Sequence, residues 1–186
     1  MSEAAPLAPP THRYWLRWLV LSLAVIIVDQ LSKVAVLSSL RVGEERVVTG
    51  FFSIVLAFNS GAAFSFLADA GGWQRYLFSA IAVGAAGALV WLLSRGGSRI
   101  YCAGLALILG GALGNLWDRA TMGKVVDFLL FHNYLPFTRG PLPPLDPFPA
   151  FNIADSALTV GVVLLILDSF RQRRVDRLTV QGSNND

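Results

Sequence analysis

Gly110-Gly111-Ala112-Leu113-Gly114-Asn115-Leu116-Trp117-Asp118-Arg119 marks the point where a long apolar segment turns polar. That segment, residues 100–117, is one of four, the others covering 15–40, 76–93 and 153–170. Each is close to the ~17–25 residues a tilted helix needs to cross a ~30 Å hydrocarbon layer. Of the 186 residues, 54% are hydrophobic and only 15% charged, which argues against a soluble domain of this size. The expectation is a membrane all-α protein, a single domain over residues 1–186.

Outward from this stretch, charge is scarce and unevenly placed. Residues 1–13 carry mostly Ala and Pro and read as a disordered lead-in. Arg13 and Arg17 precede an apolar run that resembles a secretory leader, but Asp29, Gln30 and Lys33 follow with no small-residue cleavage site, so a retained first helix is expected. Between the first two segments, Val47-Val48 and residues 51–58 are β-branched and aromatic, bounded by Gly43, Gly50 and Asn59-Ser60-Gly61. They read as short strands of a small sheet, which must lie outside the hydrocarbon because unpaired strand edges cannot rest in lipid. Gly and Ala crowd the second and third segments, with Gly110 and Gly114 in a small-xxx-small pair that lets helices approach closely.

Basic residues set the expected orientation. Arg13 and Arg17, Arg95 and Arg99, and Arg171, Arg173, Arg174 and Arg177 flank the helices on one side, which the positive-inside rule makes cytoplasmic. Both termini then lie inside, with residues 171–186 a cytoplasmic tail and 41–75 and 118–152 extracytoplasmic loops. The net charge of +3 follows from this topology, so nucleic acid is not an expected partner. Asp29, Lys33, Asn59, Asn115, Asp118, Asn152 and Asp155 all gather on the outer side. Asp168 and Asp176, among the tail arginines, read as solvated surface, Asp146 as a loop residue and Cys102 as a packing residue.

Ionisable residues at the edges of apolar helices are costly unless they have work to do. Two carboxylates brought close share one proton, and such a pair can activate water and protonate a departing amine without a metal. Other chemistries lack parts: His12 and His132 fall on opposite sides, so histidine triads and zinc sites are not expected, and Ser32 and Lys33 point about 100° apart on a helix. Each residue also has a structural alternative. Asp29 and Lys33 have intrahelical ion-pair spacing, Asp118 sits beside Arg119, and Asp155 occupies a helix first turn that favours a carboxylate. Asparagines can hold a peptide or bond the local backbone. A proton- or ion-coupled transporter and a non-catalytic scaffold remain alternatives, and the residues by themselves do not choose which aspartates pair.

The blocks Val28-Asp29-Gln30-Leu31-Ser32-Lys33, Phe58-Asn59-Ser60-Gly61-Ala62-Ala63-Phe64-Ser65, Gly114-Asn115-Leu116-Trp117-Asp118-Arg119, Val125-Val126-Asp127-Phe128 and Phe151-Asn152-Ile153-Ala154-Asp155-Ser156 together resemble the bacterial lipoprotein signal peptidase, or signal peptidase II, family over residues 14–170. The resemblance implies four transmembrane helices, a small extracytoplasmic β-sheet and a short lid-like periplasmic helix. It implies an inner-membrane aspartic endopeptidase that needs no cofactor or metal, works as a monomer among membrane lipids, and cuts diacylglyceryl-modified prolipoproteins just before the lipidated cysteine. By this likeness Asp127 and Asp155 are catalytic, Asn59, Asn115, Arg119 and Asn152 line the substrate site, and Asp29, Lys33, Gly61 and Asp118 support it. Residues 132–150, with six prolines, depart from the family's compact connection and read as an insertion over the mouth of the site.

Overall fold

The computed structural model describes residues 14–60, 73–132 and 149–183. Gly61, the tail 1–13, and residues 61–72 and 133–148, where the insertion falls, lie outside the described residues. In chain order the elements are α1 (Leu16–Ser39), β1 (Glu45–Thr49), β2 (Phe52–Asn59), α2 (Gln74–Arg95), α3 (Arg99–Met122), β3 (Val125–Phe131) and α4 (Ile153–Ser183). No further helix occurs among the described residues, so the lid-like helix has no described counterpart.

All four helices are long and apolar enough to cross a membrane, and the protein is a multi-pass membrane protein. Val20, Leu31, Ile81, Trp91, Leu167 and Phe170 point outward, the arrangement that suits a lipid solvent. The interior is lined by small residues. A Cβ added at Gly104 would meet Gly161 O at 2.9 Å, and one at Gly161 would meet Gly104 O at 2.7 Å, so α3 and α4 pack backbone against backbone there. Gly110 approaches Ser22 O on α1 and Gly111 approaches Ala154 on α4, so α3 turns glycines toward both α1 and α4. The small residues of α2 behave differently: Gly84 and Gly87 have open space beside them.

Helix ends depart from their expected positions. α3 runs beyond Trp117 to Met122, where Gly123 takes a left-handed conformation (φ 74°) and its N–H bonds Arg119 O. α4 continues past residue 170 to Ser183, so the backbone of the expected tail is helical. Asp168 corrects the surface reading: it is 2% exposed, and its carboxylate accepts from Ser98 Oγ (2.5 Å) and Gln172 Nε2 (2.6 Å). Ser98 in turn caps α3, accepting from Tyr101 N at 3.0 Å. The turn between α2 and α3 is thereby tied to α4.

At the opposite end lies a three-stranded antiparallel sheet in the order β1-β2-β3. The strands expected from residues 47–58 are β1 and β2. The third, β3, comes from the segment after α3, and it is buried on both faces from Val125 to Phe128. Leu56, Val126 and Phe128 pack against Val36 and Leu40 at the end of α1, with Ile153 of α4 alongside. Phe151 bridges Leu129 of β3, its O accepting from Phe128 N (2.9 Å) and Leu129 N (2.8 Å). That bridge delivers the next residue, Asn152, beside Asp127.

Candidate active site

Where α1, α3, α4 and β3 meet, the described polar residues form two linked layers. The deeper layer is built on Lys33, 1% exposed, whose Nζ lies 2.7 Å from Asp29 Oδ2, 2.8 Å from Asp118 Oδ2 and 3.1 Å from Asn115 Oδ1. Buried charges are tolerable only when paired and fully hydrogen-bonded, and these are. Asp29 Oδ1 also accepts from Ala154 N (3.0 Å) at the start of α4, and Asp118 Oδ2 from Val126 N (3.1 Å) on β3. Gln30, which the motif reading quoted without assigning a role, reaches Asp29 Oδ2 (3.1 Å), Asp118 Oδ1 (2.9 Å) and Gly114 O (3.2 Å). Its signal was a carboxamide in an otherwise apolar helix. The intrahelical Asp29–Lys33 pair is present, and it belongs to a clamp joining three helices and a strand.

The outer layer holds Asp127 and Asp155. Asn152 and Asp155 form a capping box at the start of α4: Asp155 N donates to Asn152 Oδ1 (2.9 Å), and Asn152 N donates to Asp155 Oδ2 (3.2 Å). The same Asn152 donates through Nδ2 to Asp127 Oδ1 (2.8 Å), and that nitrogen also lies within bonding distance of Val126 O (3.2 Å) and Asn115 Oδ1 (3.1 Å). Asn115 Nδ2 donates to Asp155 Oδ1 at 2.8 Å. One residue thus touches both carboxylates, and a second ties one of them to the Lys33 layer.

Asp127 projects from β3 opposite Ala57, two positions before the end of β2, where Asn59 bonds its carboxylate. Burial pushes its pKa up from 3.8 to about 6, and the neighbouring charge of Asp155 pushes the same way. Hydrogen bonds from Asn59 and Asn152 and the charge of Lys33 oppose the rise without cancelling it. Arg119 interacts electrostatically with Asp155, Asp127 and Asp118, lies over the Phe78 ring at 5.6 Å, and keeps its Nε buried with no hydrogen-bond partner among the described residues. Beside Asp155 opens a cavity of about 560 Å³, lined by Phe151, Ser156, Thr159 and Val160 among others. Among the described residues no cluster of His, Cys, Asp and Glu has the arrangement of a metal site.

Of the ten residues singled out in the sequence, nine therefore meet at one end of the bundle, and Gly61 lies outside the described residues. A family model described as signal peptidase (SPase) II matches residues 21–171. The chain belongs to the signal peptidase II family. The lipoprotein signal peptidase of Ralstonia nicotianae is 52% identical over 158 residues, covering 84% of this chain and 86% of its own. That of Paraburkholderia phytofirmans is 48% identical over 178 residues, covering 95% and 98%. A bacterial membrane enzyme solved by the in meso method at 2.3 Å resolution superimposes with a TM-score of 0.72 at 28% identity, covering 86% of this chain and 91% of its own. Four apolar helices with a small antiparallel sheet are thus the fold of this signal peptidase II member, and the protein is a membrane protease. The transporter and scaffold readings fall away.

Proposed function

We propose that the protein is an aspartic endopeptidase that removes signal peptides from diacylglyceryl-modified prolipoproteins, cutting N-terminal to the lipidated cysteine, with Asp127 and Asp155 as its catalytic pair. The supporting observation is Asn152, whose side chain donates to Asp127 and whose backbone N–H donates to Asp155. Two carboxylates held by one residue share a proton, and their surroundings decide which keeps it. Asp155, in the first turn of α4, accepts from the Asn152 backbone N–H and the Asn115 amide. Asp127, raised to about 6, holds the proton.

In the reaction, ionised Asp155 takes a proton from a water as its oxygen attacks the scissile carbonyl carbon, and Asp127 gives its proton to the carbonyl oxygen. The tetrahedral diol collapses as Asp155 passes its proton to the departing amine nitrogen. The carbon–nitrogen bond breaks, and Asp127 recovers a proton from the diol hydroxyl. One water is consumed and the pair returns to its singly protonated state. Asn59, bonded to Asp127, and Arg119, whose charge acts on both carboxylates, are suited to hold the substrate backbone, while Asn115 and Asn152 hold the carboxylates. The basic flanks at the other end of the bundle support an orientation with both termini cytoplasmic and the site at the periplasmic face of the inner membrane. The outward apolar faces are compatible with a monomer in lipid.

Purified Asp127→Asn and Asp155→Asn, folded and in lipid, are expected to leave a diacylated precursor uncut, whereas wild type cleaves it and spares the unmodified precursor. Cleavage by either variant at the wild-type rate eliminates the pair. Equal cleavage of both precursors eliminates the lipidated substrate.

A further inference from the structure

Lys33 is more than the counter-ion of Asp29. An ammonium has three donors, and here two go to carboxylates and the third to Asn115 Oδ1 at 3.1 Å. Asn115 Oδ1 also lies 3.1 Å from Asn152 Nδ2, so two donors converge on that oxygen. A flipped amide would turn its NH₂ toward an ammonium and another NH₂, and only the observed orientation leaves Asn115 Nδ2 for Asp155 Oδ1 at 2.8 Å. Asp29 and Asp118 have other donors of their own in Ala154 N, Val126 N and Gln30, so the third bond is not needed to satisfy them.

We propose that Lys33 is a positioning residue of the cleavage reaction: through Asn115 it fixes the carboxylate of Asp155, and it places a buried cation behind the reacting pair. The proposal rests on the Asp127–Asp155 reading. The charged groups around Lys33 are Asp29 on its own helix, Asp118 on α3, and, one residue beyond, Asp155 on α4 and Asp127 on β3. Arg119 is the other cation acting on the pair among the described residues. With one proton on the pair, the two cations face three negative charges, and removing Lys33 leaves a single cation against the same three. The field of Lys33 reaches Asp127 too, in the sense that favours its ionised form. Loss of the cation therefore makes a proton harder to remove from the pair.

The test is Lys33→Met, close to lysine in length and without charge, assayed on the diacylated precursor per folded enzyme. Expected are a fall in kcat of about 10²-fold with KM little changed, and an acid limb of the kcat profile displaced upward by about one pH unit. A merely structural lysine would reduce the amount of folded protein and leave the profile in place, so an unshifted profile overturns the proposal. If Lys33→Met does not fold, Lys33→Gln, which keeps hydrogen-bond donors and lacks the charge, is read by the same criterion. Adding Asn115→Leu should cost little beyond Lys33→Met alone, because the two act in series, and fully multiplicative losses overturn the route through Asn115. Cleavage by Asp155→Asn instead removes the reading on which the proposal rests, and the proposal with it.

Discussion

Asp127 carries a conflict between stability and chemistry. Its carboxyl is held at about 6 against an ordinary 3.8, so the folded protein binds that proton more tightly than the unfolded chain does. The resulting stabilisation is complete below 3.8 and is lost as pH rises through about 6, above which the buried ionised group is a burden. Asp127→Asn, expected under the proposed pair to be inert toward substrate, should therefore be more stable than wild type at pH 8 by about 1–3 kcal/mol and lose that advantage near pH 4. Chemical denaturation at the two pH values measures this. The same proton predicts that kcat/KM of the wild type declines above about pH 6, where Asp127 ionises. Asp155 shows how much was legible at this scale: capping and acid–base work stood as alternatives in the sequence, yet the capping box and the contact network use the same carboxylate at once.

At the scale of elements, long apolar runs made the four helices readable, and β-branched and aromatic stretches bounded by turn residues did the same for β1 and β2. β3 escaped because Val125-Val126-Asp127-Phe128-Leu129-Leu130-Phe131 is covered on both faces over its first half and so shows no alternation. Its position is set by partners far along the chain, Phe52 to Asn59 on one edge and Phe151 on the other. Asp168 was misread for the opposite reason: its sequence neighbours are arginines, but its spatial neighbour is the cap of α3, seventy residues away. Asp168→Ala should thus untie α4 from the α2–α3 turn and leave the half-buried Ser98 hydroxyl short of its acceptor, costing about 1 kcal/mol. Cleavage per folded molecule should not change, since the reacting end lies across the bilayer. Thermal unfolding in detergent alongside a precursor assay separates the two effects. The glycines of α3 were visible in sequence as a packing stripe, but which neighbour each one faces was not, and the open space beside Gly84 and Gly87 shows that small residues alone do not specify contact.

Across the whole molecule, polarity is segregated. The clamp and the reacting pair occupy one end, the Asp168–Ser98 tie occupies the other, and apolar side chains cover the helices between. The membrane-crossing part of α4 ends at Arg173, and the helix runs a further ten residues to Ser183. The farthest described side-chain bond along α4 is that of Gln172 to Asp168. A chain ending after Arg173 should therefore insert, fold and cleave the diacylated precursor with a kcat/KM within about 2-fold of the full chain. A larger loss would give residues 174–186 a role in the reaction.

The residue that starts α4 is also the one that couples the two acids. Fraying of a single helical turn would uncap the segment, release Asp155 and separate it from Asp127 in one movement. Heat should accordingly silence the protease at the temperature where that turn loosens, before the bundle melts as a whole.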